Sequence, residues 1–105
     1  VDQDDPESIF SATTSVAGDR VTVVVTGEVD MSTADGMFRA ATDEPAARVT
    51  LDLRGVTFFD SAAIHTLIRL AERYPAALAV LPSPQVLRVL DISGLSGQPW
   101  LVKTG

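Results

Sequence analysis

The chain has 105 residues, the size of one domain, and is 46% hydrophobic, enough for a real core and too much for wholesale disorder. Its 14 acidic residues outnumber 8 basic ones, for a net charge of −6, with Lys103 the single lysine; this balance argues against nucleic acid or an anionic membrane surface as partner, since both need a basic patch, and permits a basic protein. The absence of cysteine removes disulfides, thiolate metal sites and cysteine catalysis, and fits a cytosolic setting.

Residues 1–8 are acidic and polar and read as a mobile leader, with a single domain over 9–105. The first residue is Val rather than Met, as in a chain that was processed, trimmed or cut from something longer. No signal peptide is present, and no apolar run approaches the ~18 residues of a membrane-spanning helix.

Ile9 to Thr14 predicts a first strand, and Gly18-Asp19 a turn. Val21 to Thr26 is β-branched throughout, which predicts a central strand buried on both faces and paired with the first as an antiparallel hairpin. Gly27 to Asp30 closes that strand. Ser32 with Asp35 three residues later has the spacing of a capping box. Ala34, Met37, Phe38 and Ala41 then supply the i, i+3, i+4, i+7 face of a helix that ends near Pro45.

Val49, Leu51 and Leu53 alternate with Thr50 and Asp52, the pattern of a strand with one face inward. Arg54-Gly55 predicts a turn into a second apolar piece, Val56 to Asp60. Asp60 and Ser61 suit a helix N-terminus, where a side-chain oxygen accepts from an unpaired backbone N–H. Ile64, Leu67, Ile68 and Ala71 predict the apolar face of the helix that follows, leaving His65, Thr66, Arg69, Glu72 and Arg73 outside. Tyr74-Pro75 stops it. Leu78 to Leu81 predicts a short strand. Ser83 and Pro84 open another helix with Val86, Val89 and Leu90 inward, and Gly94 caps its end. Trp100 to Val102 predicts a last strand.

Alternating strands and helices predict an α/β fold: a mixed β-sheet of four to five strands, parallel where helices connect them, with three or more helices mostly on one face. Catalytic motifs are missing. No Gly-rich phosphate loop with lysine exists. Ser93-Gly94-Leu95-Ser96-Gly97 lacks the first glycine of a nucleophile elbow and follows a helix rather than a strand. His65 is the only histidine and has no orienting acid in its motif. The expectation is a non-enzyme without cofactor or metal.

On its residues alone, Ser61 has two readings. It is a plain helix cap, or it is a modification site at the positive end of a helix dipole, where a phosphate is favoured. Gly27-Glu28-Val29-Asp30, then Val56-Thr57-Phe58-Phe59-Asp60-Ser61, then Leu90-Asp91-Ile92-Ser93-Gly94-Leu95 resemble, in order and spacing, the motifs of the STAS domain of bacterial anti-sigma factor antagonists. In that family a hydrophobic-Asp-Ser-Ser-Gly-Leu turn carries the phosphorylated serine, and Ser61 stands at that position. Ala62 and Ala63 replace the second Ser and the Gly. Family members usually carry a further C-terminal helix, for which this chain lacks the residues.

The resemblance implies a STAS-like fold and a cytoplasmic regulator. Its protein partners would be an anti-sigma factor that is also a serine kinase, and a phosphatase. It also implies phosphorylation at Ser61 and a partner-binding surface of Glu28, Asp30, Asp60, Ser61, Ala62, Ala63 and His65. The alternative within the same resemblance is a STAS module used for assembly, without phosphorylation, in a transporter, a stress-signalling complex or a lipid-transport complex. Either way Ser61 is expected to be accessible at a helix start, with Phe58 or Phe59 buried beneath it.

Overall fold

The computed structural model describes residues 10–102, so the expected leader, Ile9 and Lys103 lie outside the described residues. Seven elements follow in order: β1 (Ser11–Ala17), β2 (Arg20–Val29), α1 (Ala34–Thr42), β3 (Arg48–Phe59), α2 (Ser61–Arg73), β4 (Leu78–Pro82) and α3 (Pro84–Ile92). They build one sheet in the order β1-β2-β3-β4. β1 is antiparallel to β2, and β3 is parallel to both β2 and β4. The expected last strand is reduced to a parallel bridge between Val80 and Leu101.

β1 starts and ends later than its sequence suggests. Gly18, at φ +62°, and Asp19 form a two-residue loop, so pairing begins directly at Ala17 and Arg20 and extends the strand past Thr14. β2 is not buried on both faces. Val21, Val23 and Val25 are fully covered, but Val24 is 40% exposed, because the helices cover only one side of the sheet. On that side Val49, Leu51 and Leu53 of β3 and Val80 of β4 meet Met37 and Ala41 of α1, Leu67 and Leu70 of α2, and Val86 and Leu90 of α3. Each fully buried Val or Leu contributes about 1.5–3 kcal/mol, which makes this one layer of contacts the main stabilising element.

β3 corrects a larger expectation. No turn forms at Arg54-Gly55; the strand runs unbroken to Phe59. Its pairing with β2 slips twice, between Val24 and Thr26 and again between Gly27 and Glu28, and each slip leaves one extra residue on β3. These are β-bulges, in which two residues oppose one and the strand bends. They explain the burial pattern. Leu53, Val56 and Phe59 are buried at intervals of three, where an unbulged strand would repeat every two. Gly55 leaves room for Thr26 at the first slip, since a Cβ there would lie 2.8 Å from Thr26 Cγ2 and force one of the two to shift. At the second, the Thr57 hydroxyl donates to the Gly27 carbonyl at 3.3 Å.

The start of α3 follows its sequence. The Ser83 hydroxyl accepts from the Val86 N–H at 3.1 Å, Pro84 takes the first turn, and Gly94 at φ +77° follows the helix end. Ser83 is also buried and donates to the Val56 carbonyl at 2.8 Å, tying the head of α3 to β3 next to the bulges.

Candidate functional site at the head of helix α2

The bulged end of β3 delivers Phe59 inward, 3% exposed, and then releases the chain at Asp60. Asp60 has extended backbone geometry and is the N-cap of α2; its carboxylate accepts from the Ala63 N–H at 3.1 Å. The first intrahelical bond, Ile64 N–H to the Asp60 carbonyl at 3.0 Å, follows. Ser61 is therefore the first residue of the helix and is exposed to solvent. The N–H groups of Ser61 and Ala62 have no intrahelical acceptor, as at any helix start. A negatively charged group on the Ser61 oxygen would sit where the helix dipole favours it.

Phe58 is 44% exposed, so of the two aromatics only Phe59 forms the floor. Of the expected contact residues, Ala62 is half-buried and His65 is exposed one turn below Ser61. Ala63 is different. It is fully buried, its methyl group turned into the core, so it presents no surface to a partner. Substitution of the family's glycine here fills core volume and does not obstruct the approach to Ser61.

The buried face of α2 is rotated from the expected one. Ala63, Thr66, Leu67 and Leu70 are buried, Ile64 and Ala71 are only partly covered, and Ile68 is 36% exposed. Thr66, expected outside, is 5% exposed. The small Ala63 and the β-bulged strand end set the helix down along the 63-66-67-70 line. Ile64 and Ile68 are left at its flank, and Arg69 stacks over Phe38 of α1, 4.2 Å from the ring centre.

The loop after β2 adjoins this turn. Val29 pairs with Phe59, and the Asp60 N–H donates to the Val29 carbonyl at 3.2 Å. Glu28 pairs with Phe58 and is exposed. Neighbouring strands lie about 4.7–4.9 Å apart, so Glu28, Asp30 and Asp60 share one rim of the sheet with Ser61. The expected capping box is not formed. The Ser32 hydroxyl donates to the Asp30 carboxylate at 2.7 Å, together with the Ser32 N–H at 2.9 Å and the Thr33 hydroxyl at 3.2 Å. Helix α1 starts at Ala34 with Thr33 as its N-cap and no side-chain cap hydrogen bond, so Ser32 stands one residue outside the position a capping box requires. Asp35 instead pairs with Arg39 at 3.0 Å. The hydrogen bond from the Ser32 hydroxyl, then that from its backbone N–H, with Thr33 adding to both, hold the Asp30 carboxyl below its ordinary value. Asp30 is thus an acid that shapes its own loop.

Sequence reasoning missed Met31. It is 84% exposed on this loop, and together with the exposed Phe58 it gives the rim two apolar contacts beside its acids. A large apolar residue inside a polar turn was the available signal. A shallow hollow lined by Thr42, Glu44, Arg73 and Tyr74 among others lies at the opposite end of the sheet, beside the starts of β3 and β4, and shares no residue with this rim. Among the described residues no group of three or more His, Cys, Asp or Glu is placed to hold a metal ion, and no helix is long and apolar enough to cross a membrane.

A mixed four-stranded sheet with three helices, carrying an acid-capped serine where its third strand becomes a helix, defines an α/β domain of the STAS class. Solved anti-sigma factor antagonists share this fold. One from Mycobacterium paratuberculosis superposes with a TM-score of 0.77 at 24% identity, over 92% of this chain and 88% of that one. SpoIIAA in its unphosphorylated form gives 0.68 at 19% identity, over 90% and 89%. The Bacillus cell fate determinant SpoIIAA in the phosphorylated form gives 0.65 at 20% identity, over 92% of both chains. The chain belongs to the STAS_2 family, the Mlab STAS domain, whose model matches residues 12–103. No curated protein sequence matches it.

Proposed function

We propose that this domain is an anti-sigma factor antagonist controlled by phosphorylation of Ser61. Unmodified, it binds an anti-sigma factor that is also a serine kinase, and the sigma factor is released. The kinase then phosphorylates Ser61, the complex separates, and a phosphatase resets the cycle. The observation that carries this reading is the exposed Ser61 hydroxyl at the first position of α2, with its neighbour Asp60 already engaged as the cap. The domain has no chemistry of its own in this scheme; it is a substrate and a binding surface in the cytoplasm. Glu28, Asp30, Asp60, Ala62 and His65 surround the serine, and Met31 and Phe58 supply apolar contact.

A second reading is supported by the family model, which carries the name of Mlab, and by Ala62 and Ala63 in place of Ser and Gly. On that reading the same rim docks permanently into a larger assembly and Ser61 is only a small contact residue. One experiment separates the two. The protein is captured with its native partner, incubated with ATP, and mapped by mass spectrometry. Stoichiometric phosphate on Ser61 with loss of the complex supports the switch. A complex that survives ATP with Ser61 unmodified leaves the assembly module.

A further inference from the structure

β1 is the end strand of the sheet. It pairs with β2 through all seven of its residues, Ser11 with Thr26 through Ala17 with Arg20, with no bulge. No described strand pairs with its other side. Six of its residues are exposed and only Ala12 is half-buried. An unpaired edge presents a row of N–H and C=O groups to any strand of matching pattern. Natural edges are guarded by charge, proline, a bulge or shortness. Ser11–Ala17 has none of these, in a chain whose net charge is −6.

We propose that β1 is a homodimer edge, pairing antiparallel with β1 of a second copy about a two-fold axis at Thr14, so that two sheets join into one. The choice of a second copy rests on the strand's self-complementary sequence. With Thr14 opposite itself, Thr13 faces Ser15, Ala12 faces Val16 and Ser11 faces Ala17. Three of these four pairings set hydroxyl against hydroxyl or apolar against apolar. Ala12, Thr14 and Val16 lie on the helix-covered side, opposite Val25, Val23 and Val21 in turn. The Thr14 hydroxyl is already tied to the Ala40 carbonyl of α1 at 3.1 Å, which fixes the strand's orientation. Val16, 53% exposed in the single copy, gains the partner's Ala12. Two chains at −6 repel overall, but β1 brings no charge of its own into the contact. Directly opposed residues on paired strands are the stabilising unit, and no like charges meet here. The contact is small, so the dimer is weak, with a dissociation constant on the order of 10–100 µM. The inference rests on β1 alone and is independent of the Ser61 reading.

Sedimentation equilibrium of the full chain from about 5 to 500 µM tests it. The wild type is expected to pass from monomer to dimer across that range. The double variant T13K/S15K sets lysine opposite lysine at both flanking pairs, and T13E/S15E sets glutamate opposite glutamate. Each is expected to weaken the dimer at least about tenfold, and an equimolar mixture of the two should restore association. The lysine variant lowers the net charge from −6 to −4, by two added positives, so a general charge effect would strengthen its dimer instead. Circular dichroism confirms folding of each variant. A wild type that stays monomeric at the highest concentration overturns the proposal. So does a dimer that neither variant weakens, or a mixture that fails to associate.

Discussion

The backbone N–H of Asp60 donates to the carbonyl of Val29 at 3.2 Å. This bond closes the ladder between β2 and β3 at the point where both strands end. Below it Val29 and Phe59 are buried side by side; above it one chain becomes the Asp30 loop and the other becomes α2. The two motifs that the sequence separates by thirty positions are one structural unit, and whatever docks on Ser61 meets the Glu28 to Thr33 loop as well.

Asp60 should behave as a cap first. Asp60→Ala removes the acceptor for the Ala63 N–H and is expected to cost about 1 kcal/mol, whereas Asp60→Asn, which keeps a capping oxygen, should cost much less. Urea denaturation of both variants checks this. Equal losses would mean that the negative charge, and not the hydrogen bond, stabilises the helix head.

Gly55 is the second test. Because a Cβ there would approach Thr26 Cγ2 to 2.8 Å, Gly55→Ala forces the bulge open and is expected to destabilise by about 1–3 kcal/mol. Gly97, where an added Cβ meets nothing, is the control, and its alanine variant should unfold at nearly the wild-type midpoint.

The bulges also explain where sequence reading stopped. Strands and helices with unbroken periodicity were legible: Val21 to Val25, Val49 to Leu53, the Ser83-Pro84 start and Gly94 end of α3. The Arg54-Gly55 turn was misread because a bulge breaks the two-residue alternation just as a turn does, and only the partner strand distinguishes them. Thr66 was misplaced because Ile64 and Ile68 outrank Ala63 and Thr66 in hydropathy, while the packing favoured the smaller pair. The serine and its acid neighbour were legible from the turn itself. Met31 was harder to read, since a large apolar residue inside a polar turn was its one signal and it belongs to no helix or strand periodicity.

Ser83 has two duties. Ser83→Ala removes the cap of α3 and leaves the Val56 carbonyl without its donor in a buried setting. An orphaned buried group costs about 1–3 kcal/mol, and the lost cap adds to it. The expected outcome in urea is a destabilisation of at least about 2 kcal/mol, larger than for Asp60→Ala. A smaller loss would show that α3 is held by Val86 and Leu90 alone.

Asp30 links the loop to pH. Its carboxyl is held below the ordinary value by the bonds from Ser32 and Thr33, so in acid the unfolded chain binds this proton before the folded one does. The bonds therefore contribute stability above the unfolded carboxylate value, near pH 4, and lose it as pH falls through the lowered folded value. Asp30→Ala should be less stable than the wild type at pH 7, with the gap narrowing below about pH 4. Asp52 shifts in the same direction beside Arg54 but is unchanged in this comparison, so the difference isolates Asp30. A gap that stays constant from pH 7 to pH 3 would remove the carboxylate from the loop's stability.

Ser61 decides the proposed switch. A phosphate adds roughly −2 charge at the first position of α2. Its own helix end accommodates that, by about 0.3–1 kcal/mol in favour, so the fold should survive modification. The interface should not. A partner surface matched to a small neutral hydroxyl, on a rim that already holds Glu28, Asp30 and Asp60, would meet two further negative charges. Two charges against one at about 6 Å, with an effective dielectric near 20, give on the order of 5 kcal/mol before screening. A fifth of that already weakens binding several-fold. Ser61→Ala should therefore hold the partner whether or not ATP is present. Ser61→Glu should unfold at the wild-type midpoint or slightly above it and bind at least about fivefold more weakly. Calorimetric titration of the three proteins against the captured partner, with circular dichroism melts alongside, reads both quantities. Equal affinity for all three would show that charge at this position does not control binding, and the docked assembly module would then be the function of the rim.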